Sequence, residues 1–285
     1  MIVALSGSTG FIGQALMRRM HALGWTVRVI DRESMAMPDD EFLEEKTEGA
    51  DAVINLAGAS VSKKWTPACK QEILDSRVIT TRKIAGSINH ARKKPAVFIS
   101  ASAIGIYDSI NTHTETSMAF SESFLAHVCQ NWESEALQSA DAARVVIFRL
   151  GVVLGAEGGA LAKMRFPFSI GLGGKIGNGK QAVSFIHISD LVDALIFTIQ
   201  TPSLTGIVNG VSPYPSDNAE FTDKLAKVMD QPAWFTIPAF ALKLAYGEGA
   251  QVMLEGQRVL PEKLMQAGFR FKYPTIQNAL VEIYG

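Results

Sequence analysis

The chain has 285 residues, 47% of them apolar and 19% charged, which is enough to bury a sizeable core in one large α/β unit or two joined lobes. A net charge of −1 supplies no basic field for nucleic acid or an anionic membrane surface. No apolar run approaches the roughly 20 residues of a membrane helix. Cys69 and Cys129 are too few for a disulfide framework, so a reducing, cytoplasmic setting is expected.

Ile2 to Ser6 reads as a first strand, because it is apolar, lacks a basic leader and runs straight into a glycine turn. Phe11 to Leu23 follows as a helix, with Ile12, Leu16, Met20 and Leu23 at helical spacing. Thr26 to Ile30, Ala52 to Leu56, Val97 to Ala101 and Val145 to Leu150 read as further strands. Helices are expected from Pro67 to Arg92 and around Ser123 to Ser139. This alternation predicts a Rossmann-type α/β fold, a doubly wound parallel sheet covered on both faces. The acidic stretch Glu33 to Gly49 is too short for a strand and a helix, so that edge of the sheet is expected to be abbreviated.

After Gly151 the texture changes. Gly171 to Gly179 holds five glycines and reads as a tight loop. Phe185 to Gln200 reads as a strand entering a helix capped near Ser189 or Asp190. The pattern assigns residues 1–160 to a dinucleotide-binding domain, with 183–202 returning to it. Residues 161–182 and 203–285 are assigned to a smaller C-terminal α/β substrate lobe.

Gly7-Ser8-Thr9-Gly10-Phe11-Ile12-Gly13 carries the functional signal. Placed between a first strand and a first helix, Gly7 permits the turn, Gly10 lets backbone approach a pyrophosphate, and Gly13 lets helix and strand pack closely. The amides and dipole of the helix N-terminus favour the negative phosphates. Asp31, 18 positions after Gly13, suits the ribose hydroxyls of NAD, whereas Arg32 suits the 2′-phosphate of NADP.

These residues resemble the short-chain dehydrogenase/reductase superfamily in its extended, epimerase-like branch. Asp51 to Gly58, Arg149 to Gly155, and Gly177 to Gln181 followed by Phe185 to Asp190 are similar to successive blocks of that branch. An atypical epimerase-like subfamily is matched by Trp65-Thr66-Pro67, Ser76-Arg77, Gly171-Leu172-Gly173-Gly174, Val211-Ser212-Pro213, and Leu260-Pro261 leading to Ala267-Gly268-Phe269. The resemblance covers essentially the whole chain. It implies NADP, with NAD as the alternative, held by the glycine turn (Gly7, Thr9, Gly10, Phe11, Ile12 and Gly13) and by Asp31 and Arg32. Leu56, Ala57, Gly58, Glu72, Arg77 and Val153 complete the implied cofactor lining. Glu72 and Arg77 have a plainer alternative as a surface pair on an amphipathic helix.

The superfamily's proton chemistry uses a Tyr with a Lys four residues later, the Lys lowering the phenol's pKa from about 10. None of the five tyrosines has that Lys, and block order places the pair at Leu125 and Cys129. Ser102, matching the superfamily's substrate-orienting serine, and Tyr107 just beyond it are the remaining catalytic candidates; a loop hydroxyl and a packing aromatic are the alternatives. His187 reads as a proton relay or as a buried histidine satisfied by backbone. Where sugar-nucleotide epimerases carry an Arg for the diphosphate, this chain has Ala182-Val183-Ser184. Gly174 to Gln181 resembles a P-loop, but Gln181 stands in place of its Ser or Thr, and the histidines and cysteines show no metal-ligand spacing. The expected function is an NADP-dependent oxidoreductase or epimerase acting on a small polar molecule. The alternative is a catalytically silent dinucleotide-binding sensor or partner protein.

Overall fold

A computed structural model describes residues 1–36 and 41–285. In chain order the first half contains β1 (Ile2–Ser6), α1 (Phe11–Ala22), β2 (Thr26–Ile30), α2 (Arg32–Ala36), α3 (Glu41–Thr47) and β3 (Ala52–Asn55). Then come α4 (Pro67–His90), β4 (Val97–Ala103), β5 (Thr112–His113), α5 (Phe124–Leu137), β6 (Arg144–Leu150) and β7 (Val152–Gly155). The second half continues with α6 (Gly159–Ser169), β8 (Gly174–Ile176), β9 (Ala182–Val183), β10 (Phe185–His187), α7 (Ile188–Gln200) and β11 (Gly206–Gly210). It ends with β12 (Ser216–Asp217), α8 (Asn218–Val228), β13 (Phe235–Ile237), α9 (Ala239–Tyr246), α10 (Gln251–Leu254), β14 (Arg258–Val259), α11 (Glu262–Gln266) and α12 (Ile276–Tyr284).

Six strands form one sheet in the order β11-β6-β4-β3-β1-β2, and every pairing in it is parallel. Alternation along the strands feeds two cores. Val3, Leu5, Ile54, Ile99 and Phe148 meet Leu16 and Met20 of α1 and Leu191 and Leu195 of α7 on one face. Ala4, Val53, Phe98 and Ile147 meet Ile84 and Ile88 of α4 and Ala136 of α5 on the other. Burial on both faces is why these strands read as unbroken apolar runs. A separate core of Leu154, Leu161, Phe185, Phe221, Leu225 and Leu280 builds the smaller lobe.

The helix starts follow local chemistry. Thr66 accepts from the Cys69 amide at 3.2 Å with Pro67 at the first helical position, and Ser123 accepts from the Ala126 amide at 3.2 Å. The abbreviated edge is present: β2 is the last strand on its side, and the stretch after it carries α2 and α3 with no strand among the described residues; 37–40 lie outside them.

Two expectations need correction. β11 lies within the stretch assigned to the small lobe, yet it pairs with β6 and forms the far edge of the main sheet, while Leu264 of α11 joins the main core. The glycine-rich loop contains β8, which pairs with β13. The cap of α7 lies near Ser189 and Asp190 as expected: it is His187, whose Nδ1 accepts from the Ser189 amide at 3.2 Å. Asp190 accepts from the Lys272 and Tyr273 amides at 2.8 and 2.9 Å, fastening the C-terminal segment.

Candidate functional site

Strand order reverses around β1, whose neighbours β2 and β3 lie on opposite sides. In open α/β sheets that reversal opens a crevice beyond the carboxyl ends of the strands. The glycine turn occupies it. Gly7 has φ +71°, and a Cβ there would stand 2.7 Å from the Leu56 carbonyl carbon and oxygen and 2.9 Å from the Ala57 amide. A Cβ on Gly13 would run into the Gly7 carbonyl oxygen and lie 2.8 Å from the Ser8 Cα. Both glycines are therefore demanded by the protein's own packing.

Gly10 is different. A Cβ there would meet only the Gly7 carbonyl oxygen, at 3.3 Å. No other atom outside its immediate neighbours lies within 4 Å of that position. Gly10 caps α1 without a side chain, and the first turn of α1 carries no acidic residue. Helix amides and dipole are left to an incoming anion, and the cradle fits a dinucleotide pyrophosphate. Phe11 turns away, its ring against Gly155, Gly158 and Gly159, where any Cβ would crowd it.

At the end of β2, Asp31 Oδ1 accepts from both the amide (2.8 Å) and the hydroxyl (2.7 Å) of Ser34, which holds its carboxyl below the usual range. Arg32 is exposed, and its side chain makes no hydrogen bond or ion pair among the described residues.

On the other side of the turn, Asn55 at the end of β3 is buried; its side chain accepts from Ser6 Oγ and the Ala57 amide and donates to Thr81. Leu56 to Gly58 are thereby held beside Gly7. Glu72 and Arg77 do not pair with each other. Glu72 meets Lys63 at 3.3 Å on the surface. Arg77 tucks under Gly58, donating to the carbonyls of Ile73 (3.0 Å) and Ala59 (3.1 Å), with its guanidinium 5.2 Å from the Trp132 ring centroid. Burial lowers its pKa, and no carboxylate pairs with it among the described residues. Val153 is half-buried on β7 against the main core.

The catalytic candidates occupy a different setting from the one expected. Ser102 is buried and donates to Glu133 Oε1 at 2.6 Å. Glu133, on α5, also receives both arms of the Arg149 guanidinium at 2.8 and 2.7 Å. Tyr107 is fully buried and its hydroxyl lies 3.1 Å from both the Thr114 carbonyl and Asn209 Oδ1. Its ring is stacked on His113 at 4.6 Å and covered by the Arg149 guanidinium at 4.9 Å. Desolvation raises its pKa, opposed by Arg149. A phenol so enclosed is a packing element, which corrects its expected place as the acid/base. Cys129 stands one turn before Glu133, buried, its thiol pushed up to about 11 by burial and directed at the Ala103 carbonyl. His187, its pKa lowered by burial to about 4, has its ring centroid 4.2 Å from that of Tyr273 with the planes tilted by 57°, and is occupied as a helix cap.

Sequence reasoning missed Glu133 and Asn209. Each contacts its partners across long separations, and only the stripe Ala126, Cys129, Glu133 and Ala136 on one helix face hints that Glu133 points inward. The P-loop-like stretch is a short strand and a turn: β8 is its first three residues, Gly177 and Gly179 take positive φ, and β9 follows where a P-loop needs a helix.

Comparison with known proteins places this geometry. Residues 3–209 match the NAD dependent epimerase/dehydratase family, and residues 237–283 match a domain of unknown function, DUF1731. The chloroplastic epimerase family protein SDR39U1 homolog of Arabidopsis thaliana is 39% identical, over 98% of this chain and 86% of its own. The epimerase family protein YfhF of Bacillus subtilis is 36% identical over 99% and 98% of the two chains. The crystal structure of human epimerase family protein SDR39U1 (isoform2) with NADPH superposes with a TM-score of 0.91 and 31% identity, covering 100% of this chain and 99% of that one.

Proposed function

Because the chain belongs to the NAD dependent epimerase/dehydratase family, we propose that it binds NADP(H) and acts as an oxidoreductase or epimerase on a small molecule. The observation that carries the reading is the open face of Gly10 on an uncapped helix at the switch point of the sheet. Support for NADP(H) over NAD(H) comes from the neighbouring side chains. Asp31 spends its carboxylate on Ser34, while the Arg32 guanidinium stays free for a 2′-phosphate. The NADPH bound by the human relative agrees.

When bound, the cofactor supplies hydride exchange at its nicotinamide ring. The chain's residues would hold it: the turn from Gly7 to Gly13 on the pyrophosphate, Leu56 to Gly58 along one side, Val153 on the other. Arg77 contributes a cation that has no carboxylate partner among the described residues and would gain a counter-charge from a ligand phosphate. Ser102 is a positioning group here, its hydroxyl committed to Glu133.

A second reading, an NADP(H)-binding sensor without turnover, is favoured by the setting of the candidate groups: the order of the family's blocks puts the usual Tyr and Lys near Leu125 and Cys129, burial keeps the Cys129 thiol protonated at neutral pH, and the Tyr107 hydroxyl is enclosed against Thr114 and Asn209. A screen of small carbonyl and alcohol substrates followed by NADPH absorbance separates the two. Turnover that survives Tyr107→Phe supports the enzyme reading as given; stoichiometric NADPH binding with no turnover across the screen supports the sensor. Failure to bind NADPH at all defeats both.

A further inference from the structure

We propose that one exposed face of the small lobe is a docking surface for an anionic lipid bilayer, on which the protein rests peripherally. Large apolar side chains stand in solvent along a continuous strip there. Phe166, 71% exposed, and Ile170 lie four positions apart at the C-terminal end of α6, and Leu172 follows them. β8 comes next and pairs with β13, setting Gly174 opposite Phe235. A Cβ on Gly171 would touch the Pro232 ring at 3.5 Å, so the turn after α6 and the approach to β13 are neighbours. On that second stretch Trp234 is 88% exposed, and Phe240 and Leu244, one turn apart on α9, are 74% and 81% exposed.

α9 buries none of its eight residues. A helix of that length is marginal in water without a packed face, and apolar groups gathered on a surface mark a place that something covers.

Charge selects what covers it. Residues 159–176 carry Lys163, Arg165 and Lys175 with no Asp or Glu, and residues 231–247 carry Lys243 with no Asp or Glu. All four cations are exposed, and none has an ion-pair partner among the described residues; Lys163 reaches the Ser62 carbonyl at 3.4 Å. Asp230 and Glu248 bracket the second stretch, and Glu248 is paired with Lys70. The chain's net charge of −1 therefore conceals four positive charges among these apolar groups. Aromatic and aliphatic side chains interspersed with Lys and Arg suit a headgroup boundary, where rings enter the acyl edge and cations stay with anionic phosphates. A second copy of the chain, meeting this face with its own, would set cations against cations. No helix among the described residues is long and apolar enough to cross a membrane, and α9 is short enough only to lie in the interface plane.

The test sediments the full chain with vesicles of phosphatidylcholine alone and of phosphatidylcholine mixed with phosphatidylglycerol. Binding to the mixed vesicles is expected, at least tenfold tighter than to the neutral ones and weakened by high salt. Phe240→Ser/Leu244→Ser and Lys163→Ala/Arg165→Ala/Lys243→Ala should each weaken it at least tenfold with NADPH affinity unchanged, and Leu137→Ser, exposed on α5, should leave it alone. Trp65 and Trp132 are buried and Trp25 is half-buried, so Trp234 should supply a blue shift in emission on the mixed vesicles that Trp234→Phe removes. No binding to the mixed vesicles, equal binding to neutral ones, or equal weakening by Leu137→Ser would overturn the proposal. So would a dimer in solution that Phe240→Ser/Leu244→Ser dissociates, because a second copy would then hold the face.

Discussion

Substituting each glycine of the turn by alanine separates folding from binding. At Gly7 the φ of +71° costs a residue with a Cβ about 1–2 kcal/mol, and the collision with Leu56 and Ala57 backbone adds to it because neither side of the contact is a flexible side chain. Gly13→Ala meets the Gly7 carbonyl and Ser8 backbone just as directly. Both variants should lose several kcal/mol, of the order of a severe core substitution. In a chain this long each kcal/mol shifts Tm by about 2 °C, so drops of roughly 6 °C or more are expected. Gly10→Ala meets only the Gly7 carbonyl oxygen, at 3.3 Å, a contact relieved by a shift of a few tenths of an ångström, and with the poorer cap its cost is about 1 kcal/mol. Yet if the turn holds the pyrophosphate as proposed, the added methyl would meet it, and NADPH affinity should fall more than tenfold, about 1.4 kcal/mol. Thermal unfolding without ligand and titration calorimetry with NADPH measure the two effects. If Gly10→Ala unfolds as readily as Gly13→Ala, or binds NADPH like the wild type, the division of labour within the turn is refuted.

Glu133→Gln leaves the Arg149 guanidinium buried without its carboxylate and should cost about 3–5 kcal/mol in urea unfolding; a loss under 1 kcal/mol would show the pair to be dispensable. Tyr107→Phe should cost about 1 kcal/mol through its lost hydrogen bond while sparing NADPH affinity, and a large effect on binding would return Tyr107 to the cleft. His187 is neutral when folded, its pKa of about 4 lying below the 6.5 of the unfolded chain. The unfolded state therefore takes the proton first, and the stability His187 contributes is present above pH 6.5 and drains as pH falls toward 4. His187→Gln should flatten that part of the stability–pH curve, and an unchanged slope would assign it to other groups. Arg32→Ala should forfeit about 1.5–3 kcal/mol of NADPH binding and leave NADH binding nearly unchanged, whereas equal losses for both would place Arg32 off the 2′-phosphate.

The cofactor half of this fold was legible because its signals are local. A strand, a glycine turn and a helix lie within the first 23 residues, and strands buried on both faces announce themselves as apolar runs. β11 was hidden by its own sequence: Gly206, Asn209 and Gly210 interrupt the apolar run of a buried strand, and only pairing with β6, some 60 residues earlier, makes them an edge strand. The same distance effect concealed the buried polar cluster. Glu133 lies 31 residues from Ser102 and Asn209 lies 102 from Tyr107, separations over which no spacing rule operates. Tyr107 looked catalytic by order along the chain, but order does not say which way a ring turns after the strand ends. The opposite error was avoided at Asp31 and Arg32, where adjacency left the cofactor preference open until Ser34, three positions on, was seen to engage the carboxylate.

Titration calorimetry of the wild-type chain with NADPH and with NADH tests the central claim most directly. One NADPH per chain is expected, bound at least tenfold more tightly than NADH. Failure of both to bind, or a preference for NADH, would contradict it.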